Sequence, residues 1–377
     1  MNSNRSGESQ GNVFDVPSAN AWTRFWFTPT STLGMRSLRL LAGLLFFAWL
    51  ASFLGHQAEI FSMNGWLDLE ATTEVQRQAQ LAEREGQPSP VPPIGWSMLY
   101  LAGNNGSLFQ ALYFGSLAVL LLFTLGVATR ITAPVTWVIV VSFLGNPAIS
   151  YEGDYLLGIL AFYLMIGHLI VGQWSGHLSL LERLLGSRAD FVFAPWLFPH
   201  SAVERAPSHG ANLMMRLLQI HFAIIMVASA LHKLQMADWW AGVALWYPLH
   251  PTFQTPLESL RLEAPHAPRT LFFLSLFQYA VLGWQLAFPV FAWRSGWWRI
   301  VLLGGAVIGW IGLFFLFKLP LFGPFIVLGC LSFLRAEEWA WALDRLRSLG
   351  SNAAVGKSAG EPKKMAVALA KDTNIKK

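Results

Sequence analysis

The sequence predicts an all-α integral membrane protein of about eight transmembrane helices with two cytoplasmic interfacial helices. Three observations predict it. Hydrophobic residues fill 54% of the 377 positions and charged residues only 12%, whereas a soluble domain carries about a quarter of its residues as charges. The apolar residues gather into runs of roughly 18 or more, the length that a hydrocarbon core requires of a helix. Lys and Arg are unevenly divided between the segments that join those runs.

Eight runs qualify, at about 34–55, 108–128, 132–149, 155–172, 212–232, 271–292, 298–316 and 319–334. The third holds Pro134 near its start, where a first-turn proline needs no N–H partner. Only Lys318-Leu-Pro320 separates the last two, so they form a tight hairpin, and the last contains Gly323 and Pro324. Residues 1–30 are a polar segment without an obvious cleavage site, which makes the first run an uncleaved anchor. Residues 176–188 repeat leucine at helical spacing opposite charges, the pattern of a helix lying on the membrane surface, and 336–349 follow suit. Residues 350–377, rich in Gly, Ala, Ser and Lys, predict a disordered basic tail.

With both termini cytoplasmic, Arg77, Arg84, Lys233, Arg261, Arg269 and Lys318 fall on the outer side, and the rest of the 26 lysines and arginines fall inside. The acids divide almost evenly, as expected if only Lys and Arg set orientation. The net charge of +5 is therefore a topology signal, and no nucleic-acid partner is needed to explain it. Tryptophans support the same boundaries, with Trp22, Trp26 and Trp297 at inner edges and Trp96, Trp239 and Trp246 at outer ones. A single cysteine, Cys330, excludes an intrachain disulfide framework.

The outer side carries the chemistry-bearing residues. Residues 56–106 form a long loop with a short helix over 70–85, residues 146–154 contain Glu152 and Asp154, and residues 233–269 begin at Lys233. Lys233 ends the fifth run, and an ionisable group at that position usually faces a cavity or a partner. A carboxylate from Glu152, Asp154 or Asp238 would keep the lysine charged, whereas an apolar pocket would tune it toward the range of a base. Simple snorkelling to the interface is the structural alternative. His221 and His232 share a helix face about 16 Å apart, and His168 and His221 differ in depth by about 7 Å, a poor match for the two ligands of a haem. No clustered Cys/His spacing for a metal and no phosphate-binding loop is present.

The stretch Ser229-Ala-Leu-His232-Lys233-Leu-Gln-Met-Ala-Asp238-Trp239-Trp240-Ala-Gly242 resembles the signature of the horizontally transferred transmembrane (HTTM) family, the vitamin K-dependent gamma-carboxylase-like group. Asn146-Pro147, the run Tyr155–Phe162, and Arg36 and Arg39 of the first span extend the resemblance over residues 31–335. It implies that Lys233 is the base that deprotonates reduced vitamin K or menaquinol on the extracytoplasmic face. His232, Asp238, Glu152 and Asp154 would assist it, and Trp239, Trp240 and Tyr155 would receive the quinol. Carboxylation of a protein substrate would further consume O2 and CO2. Gly153 stands where the carboxylases carry a histidine that serves the carboxylation step, and the chain ends soon after the eighth run, where the animal enzyme continues into a luminal domain. Quinol chemistry is thus the more direct implication than carboxylation. The expected partners are the bilayer, a lipid-soluble quinol or other lipid, and a protein on the extracytoplasmic side; the expected location is a bacterial inner membrane. The competing expectation is a non-enzymatic membrane component, such as an assembly factor, lipid binder or transporter.

Overall fold

A computed structural model describes residues 20–63, 65–66, 69–84, 96–146, 149, 153–171, 207–251 and 255–345. The expected surface helix at 176–188 and the tail at 350–377 lie outside these residues, as does Glu152. Among the described residues the chain is helical without strands, apart from one isolated bridge that pairs Thr30 with Ser208.

In chain order the helices are α1 (Ala21–Phe27), α2 (Leu33–Ala51), α3 (Gln57–Phe61), α4 (Leu69–Arg84), α5 (Gly106–Leu125), α6 (Thr129–Leu144), α7 (Gly153–Val171) and α8 (His209–Lys233). Short helices α9 (Ala237–Trp240), α10 (Trp246–Leu249) and α11 (Leu257–Glu263) follow, then α12 (Ala267–Phe291), α13 (Trp298–Phe317) and α14 (Phe322–Leu331). Residues 336–345 form a last helix, α15.

Each of the eight expected runs contains a helix, but among the described residues only α2, α5, α8, α12 and α13 are long and apolar enough to cross a membrane on those measures. Thr129–Leu144, Tyr155–Val171 and Phe322–Leu331 are shorter apolar helices. The lipid-facing character of the bundle shows on its outside. Helix α12 exposes Phe272, Phe273 and Leu276, and α13 exposes Ile300, Ile311 and Phe315. Apolar surface on that scale does not belong in water.

Local chemistry sets the ends of these helices. Asn105 caps α5 by accepting from Leu108 N at 3.1 Å. Gly126, with φ 84°, stops α5 in the left-handed region while Val127 N reaches back to Leu122 O at 3.0 Å, the pattern of a Schellman close. Helix α6 begins three residues earlier than the apolar run suggested, because Ile131 N and Thr132 N both close on Ala128 O. Pro134 therefore lies inside α6 and not in its first turn, where it removes one ladder bond.

The packing is a closed neighbourhood: α5 lies on α2, α6 on α5 and α7, and α8 on α7 and α12. Helices α13 and α14 form the expected hairpin, and α14 returns against α2 and α7. Phe61 and Phe143 meet edge to face at 5.0 Å between centroids, with Tyr113 beside Phe143 at 5.9 Å. Tyr113 satisfies its own hydroxyl by donating to Leu50 O at 2.7 Å, as a buried phenol must. Asn146, which follows α6, donates to Ile60 O at 2.7 Å and so ties α3 to the end of α6.

At the opposite end, Asn212 of α8 donates to Phe25 O and Trp26 O at 3.0 and 2.8 Å, which seats α1 on the bundle. Helix α15, expected to lie at the interface, is docked by Trp339, which is 6% exposed. A Cβ on Gly34 would stand 3.3 Å from the Trp339 indole nitrogen. Arg299 also donates to Glu338 at 2.9 Å.

Candidate functional site

Helix α8 ends with His232 and Lys233 in its last turn, where positive charge meets the negative end of the helix dipole. Lys233 is half-buried. Its ammonium bends back along its own helix, donating to Ser229 Oγ at 2.5 Å and more weakly toward Ser229 O at 3.4 Å. Spacing i, i−4 places these two side chains on one face. The Trp239 ring stands 5.6 Å from Nζ, within the range of a cation–π contact.

After α8 the chain folds into a compact knob over 234–245, and α12 holds it. Gln278 is fully buried at 0% exposure. Its Nε2 donates to Trp239 O at 2.6 Å and, less closely, to Asp238 O at 3.4 Å, while its Oε1 accepts from Ala244 N at 3.0 Å. Ser275 donates to Gly242 O at 2.7 Å, and the Tyr279 hydroxyl donates to Trp240 O at 2.7 Å. Residues 275, 278 and 279 lie on one helix face by their i, i+3, i+4 spacing. Gly242 has φ 76°, and a Cβ there would stand 2.5 Å from Ser275 Oγ. Conformation and space therefore both demand glycine at that position.

Of the residues expected to serve the site, the structure brings Lys233 and Trp239 together. Asp238 is exposed and makes no ion pair with Lys233. His232 is exposed too. Trp240 is 65% exposed, and its indole N–H donates to Leu234 O at 2.6 Å, so it fastens the knob to the end of α8. Tyr155 is 74% exposed on the outside of α7. Asp154 is the second residue of α7, and Glu152 lies outside the described residues.

Sequence reasoning missed Ser229 as the lysine's partner and the Ser275–Gln278–Tyr279 face as the support of the knob. The signal was present, since three polar side chains at helical spacing in an apolar run mark a polar seam between helices. A second contact lacked a sequence signal: His250 Nε2 and Glu263 Oε2 lie 2.6 Å apart while the His250 ring stacks on Trp246 at 3.9 Å. That pair joins α10 to α11.

The histidines considered for a haem stand apart in their contacts. His221 Nδ1 lies 2.9 Å from the Tyr163 hydroxyl, whereas His168 meets the edge of Phe123 at 5.9 Å between centroids. Among the described residues no group of three or more His, Cys, Asp or Glu side chains gathers as a metal cage would.

No family model matches the chain, and neither a curated protein nor a solved structure matches it at a significant level.

Proposed function

We propose that this chain is a membrane enzyme of the HTTM, gamma-carboxylase-like kind, in which Lys233 acts as base toward an acidic hydroxyl of a lipid-soluble quinol. The observation that carries this reading is the setting of Lys233: its Nζ is held by Ser229 Oγ and faced by Trp239. A lysine oriented by a hydroxyl and an aromatic ring at the end of an apolar helix is placed to exchange a proton with a bound hydroxyl.

Depth supports a lipid-soluble substrate. The knob meets α12 at Ser275, eight residues beyond its start at Ala267, about 12 Å along the helix. Over that stretch α12 still exposes Phe272, Phe273 and, one turn on, Leu276. An apolar molecule moving along that surface would reach the lysine from the bilayer.

The quinol supplies the acidic O–H. In the transfer the O–H bond breaks, its proton joins the lone pair of a neutral Lys233 amine, and the electron pair stays on the quinol oxygen. Ser229 Oγ orients the nitrogen by accepting one of its N–H bonds, and Trp239 offers an aromatic face. The same reading takes all eight apolar helices as spans, with α6, α7 and α14 crossing through help from flanking residues, both termini cytoplasmic and Lys233 outside, in a bacterial inner membrane. O2, and CO2 where carboxylation occurs, would be co-substrates.

The test uses purified full-length protein in detergent, with reduced menaquinone or vitamin K, oxygen, labelled bicarbonate and a glutamate-rich peptide. Wild type is expected to consume quinol, and Lys233→Ala to lose that activity by about a hundred-fold or more, the scale of a positioned base. Label in the peptide would decide carboxylation separately. Wild type that leaves both quinols untouched would refute the reading. The exposure of His232, Tyr155 and Trp240 favours a second reading, in which this outer face docks a lipid or protein partner without turnover.

A further inference from the structure

Helices α7 and α8 are joined at mid-length by a polar pair that the chemistry at Lys233 does not use. The Tyr163 hydroxyl of α7 lies 2.9 Å from His221 Nδ1 of α8, and the two rings meet edge to face with centroids 5.6 Å apart. Helix α8 is long and apolar enough to cross a membrane. His221 is the middle residue of its 25, about 18 Å along the axis from Lys233. An ionisable side chain at such a position is costly and is kept for a partner or a function.

The pair fixes where its protons sit. Tyr163 has no other hydrogen-bond partner among the described residues, and a phenol among apolar side chains has to give its proton to an acceptor. It therefore donates to Nδ1, and an imidazole that accepts at Nδ1 carries its own proton on Nε2. That second N–H has no acceptor among the described residues, and it is not sealed inside the bundle as His168 Nε2 is. Its side of α8 faces outward. Ile224, three residues on and so on the same side, is 59% exposed, and Phe162, next to Tyr163, is 38% exposed. A bond between helices would use Nδ1 alone and leave Nε2–H stranded in hydrocarbon, where an unmade hydrogen bond is unfavourable.

We propose that His221 Nε2, with its ring set by Tyr163, binds the carbonyl oxygen of a quinone dissolved in the bilayer. A carbonyl accepts what Nε2–H offers. The Phe162 ring, 5.5 Å from that of Tyr163 between centroids, gives a flat apolar head an aromatic surface to lie against. Ester carbonyls of phospholipids stay near the edges of a hydrocarbon layer about 30 Å thick, whereas a quinone carries its oxygens on an uncharged ring that enters the layer whole. Accepting a hydrogen bond also separates this site from Lys233, whose proposed partner is a hydroxyl proton. The choice of a quinone rests on the reading of Lys233 as a quinol base; the site itself rests on Tyr163 and His221.

Infrared difference spectra of the full-length protein in detergent, titrated with oxidised menaquinone isotopically labelled at its carbonyls, test this. Hydrogen bonding lowers a carbonyl's stretching frequency, so wild type should show a shifted band that saturates at one quinone per chain. His221→Asn keeps an acceptor for Tyr163 near the Nδ1 position but has nothing at Nε2. It should melt close to wild type, lose the shifted band and weaken binding about three- to ten-fold, the scale of one hydrogen bond. His221→Gln, whose amide reaches the Nε2 position, should retain part of the band. Lys233→Ala should keep it in full, whether or not quinol oxidation depends on that lysine, so the two readings fail separately. Wild type without a shifted band overturns the proposal. So does a band that survives His221→Asn, or one that disappears in Lys233→Ala and thereby places the quinone at the lysine. A shifted band from the labelled ester carbonyls of phosphatidylcholine, in place of the quinone's, assigns the donor to a membrane lipid and overturns it too. Should His221→Asn not fold, Tyr163→Phe decides: without the phenol the proton is no longer held on Nε2, so the band should weaken, and an unchanged band overturns the proposal.

Discussion

Replacing Gln278 by leucine should free the knob that follows Lys233 while leaving the helices in place. Leucine fills much of the glutamine's volume, so the change isolates the polar contacts. Two of them have good geometry, Nε2 to Trp239 O at 2.6 Å and Oε1 to Ala244 N at 3.0 Å, while the 3.4 Å contact with Asp238 O adds little. The substitution strands one carbonyl and one amide beside a residue that is 0% exposed. Each stranded group costs about 1–3 kcal/mol. Taking about 2 kcal/mol for the amide alone, the opening that exposes Ala244 N–H becomes roughly 30-fold more frequent. Hydrogen–deuterium exchange of the peptide spanning 237–245 reads this directly. Exchange at Ala244 should rise by about that factor, with little change in the cores of α2 and α5. Unchanged protection at Ala244 would refute the claim that Gln278 pins the knob.

Four further outcomes follow from the same contacts. Gly242→Ala forces a side chain into φ 76° and toward Ser275 Oγ, so it should destabilise the knob by about 1–3 kcal/mol; Ser275→Ala added to it should relieve the crowding but not the backbone cost, which exchange of the double variant would show. Ser229→Ala removes the 2.5 Å partner of Lys233 and should lower quinol turnover by less than Lys233→Ala does, with kcat falling more than KM rises. Asn212→Leu deletes both bonds to α1 and should make the Phe25–Trp26 segment cleavable by protease while α8 stays intact. Cys330 is fully buried, so wild type should resist maleimide; Arg77→Cys and Arg345→Cys, on that silent background, should label from opposite sides of intact membranes if the proposed orientation is right.

Position along the chain was legible in the sequence because each apolar run is long and its flanks are polar. Helix length was not legible, because the ends depend on caps that hydropathy does not weigh. Helix α6 stops at Leu144, where Gly145 and the buried Asn146 turn the chain toward Ile60, although the apolar run continues to about 149. The docking of α15 was hidden for a different reason. Trp339 reads as a membrane-surface tryptophan until Gly34, far away in sequence, is seen to make room for it. At the site, Lys233 stood out because a charge in an apolar helix is rare. Its partner Ser229 lies four residues earlier on the same helix face, but a serine in an apolar helix carries no charge to mark it. Gln278, Ser275 and Tyr279 were readable as a polar face, but which loop they would hold was not, since that needs the packing of α8 on α12.

The distribution of buried bonds says which part of the site can move. Helix α8 is anchored at its far end by Asn212, and further along by Gln219, which donates to Ser332 O at 2.7 Å and accepts from Trp293 Nε1 at 3.2 Å. Gln219 and Ser332 are 6% and 0% exposed, so sliding α8 would strand polar groups where water cannot reach them. The knob is different, because Trp240 and Ala241 are exposed and water can replace much of what Tyr279 and the Trp240 indole supply. Opening the knob therefore costs less than moving the helix that bears Lys233, and Gln278 is the largest single contribution to keeping it shut. Access to Lys233 is expected to be set by the knob, with the lysine itself fixed. On that basis Gln278→Leu should speed the entry of a bulky quinol relative to a tail-less analogue, whereas Asn212→Leu should leave the ratio of the two rates unchanged. Equal effects of the two substitutions on that ratio would mean that α8, not the knob, governs access.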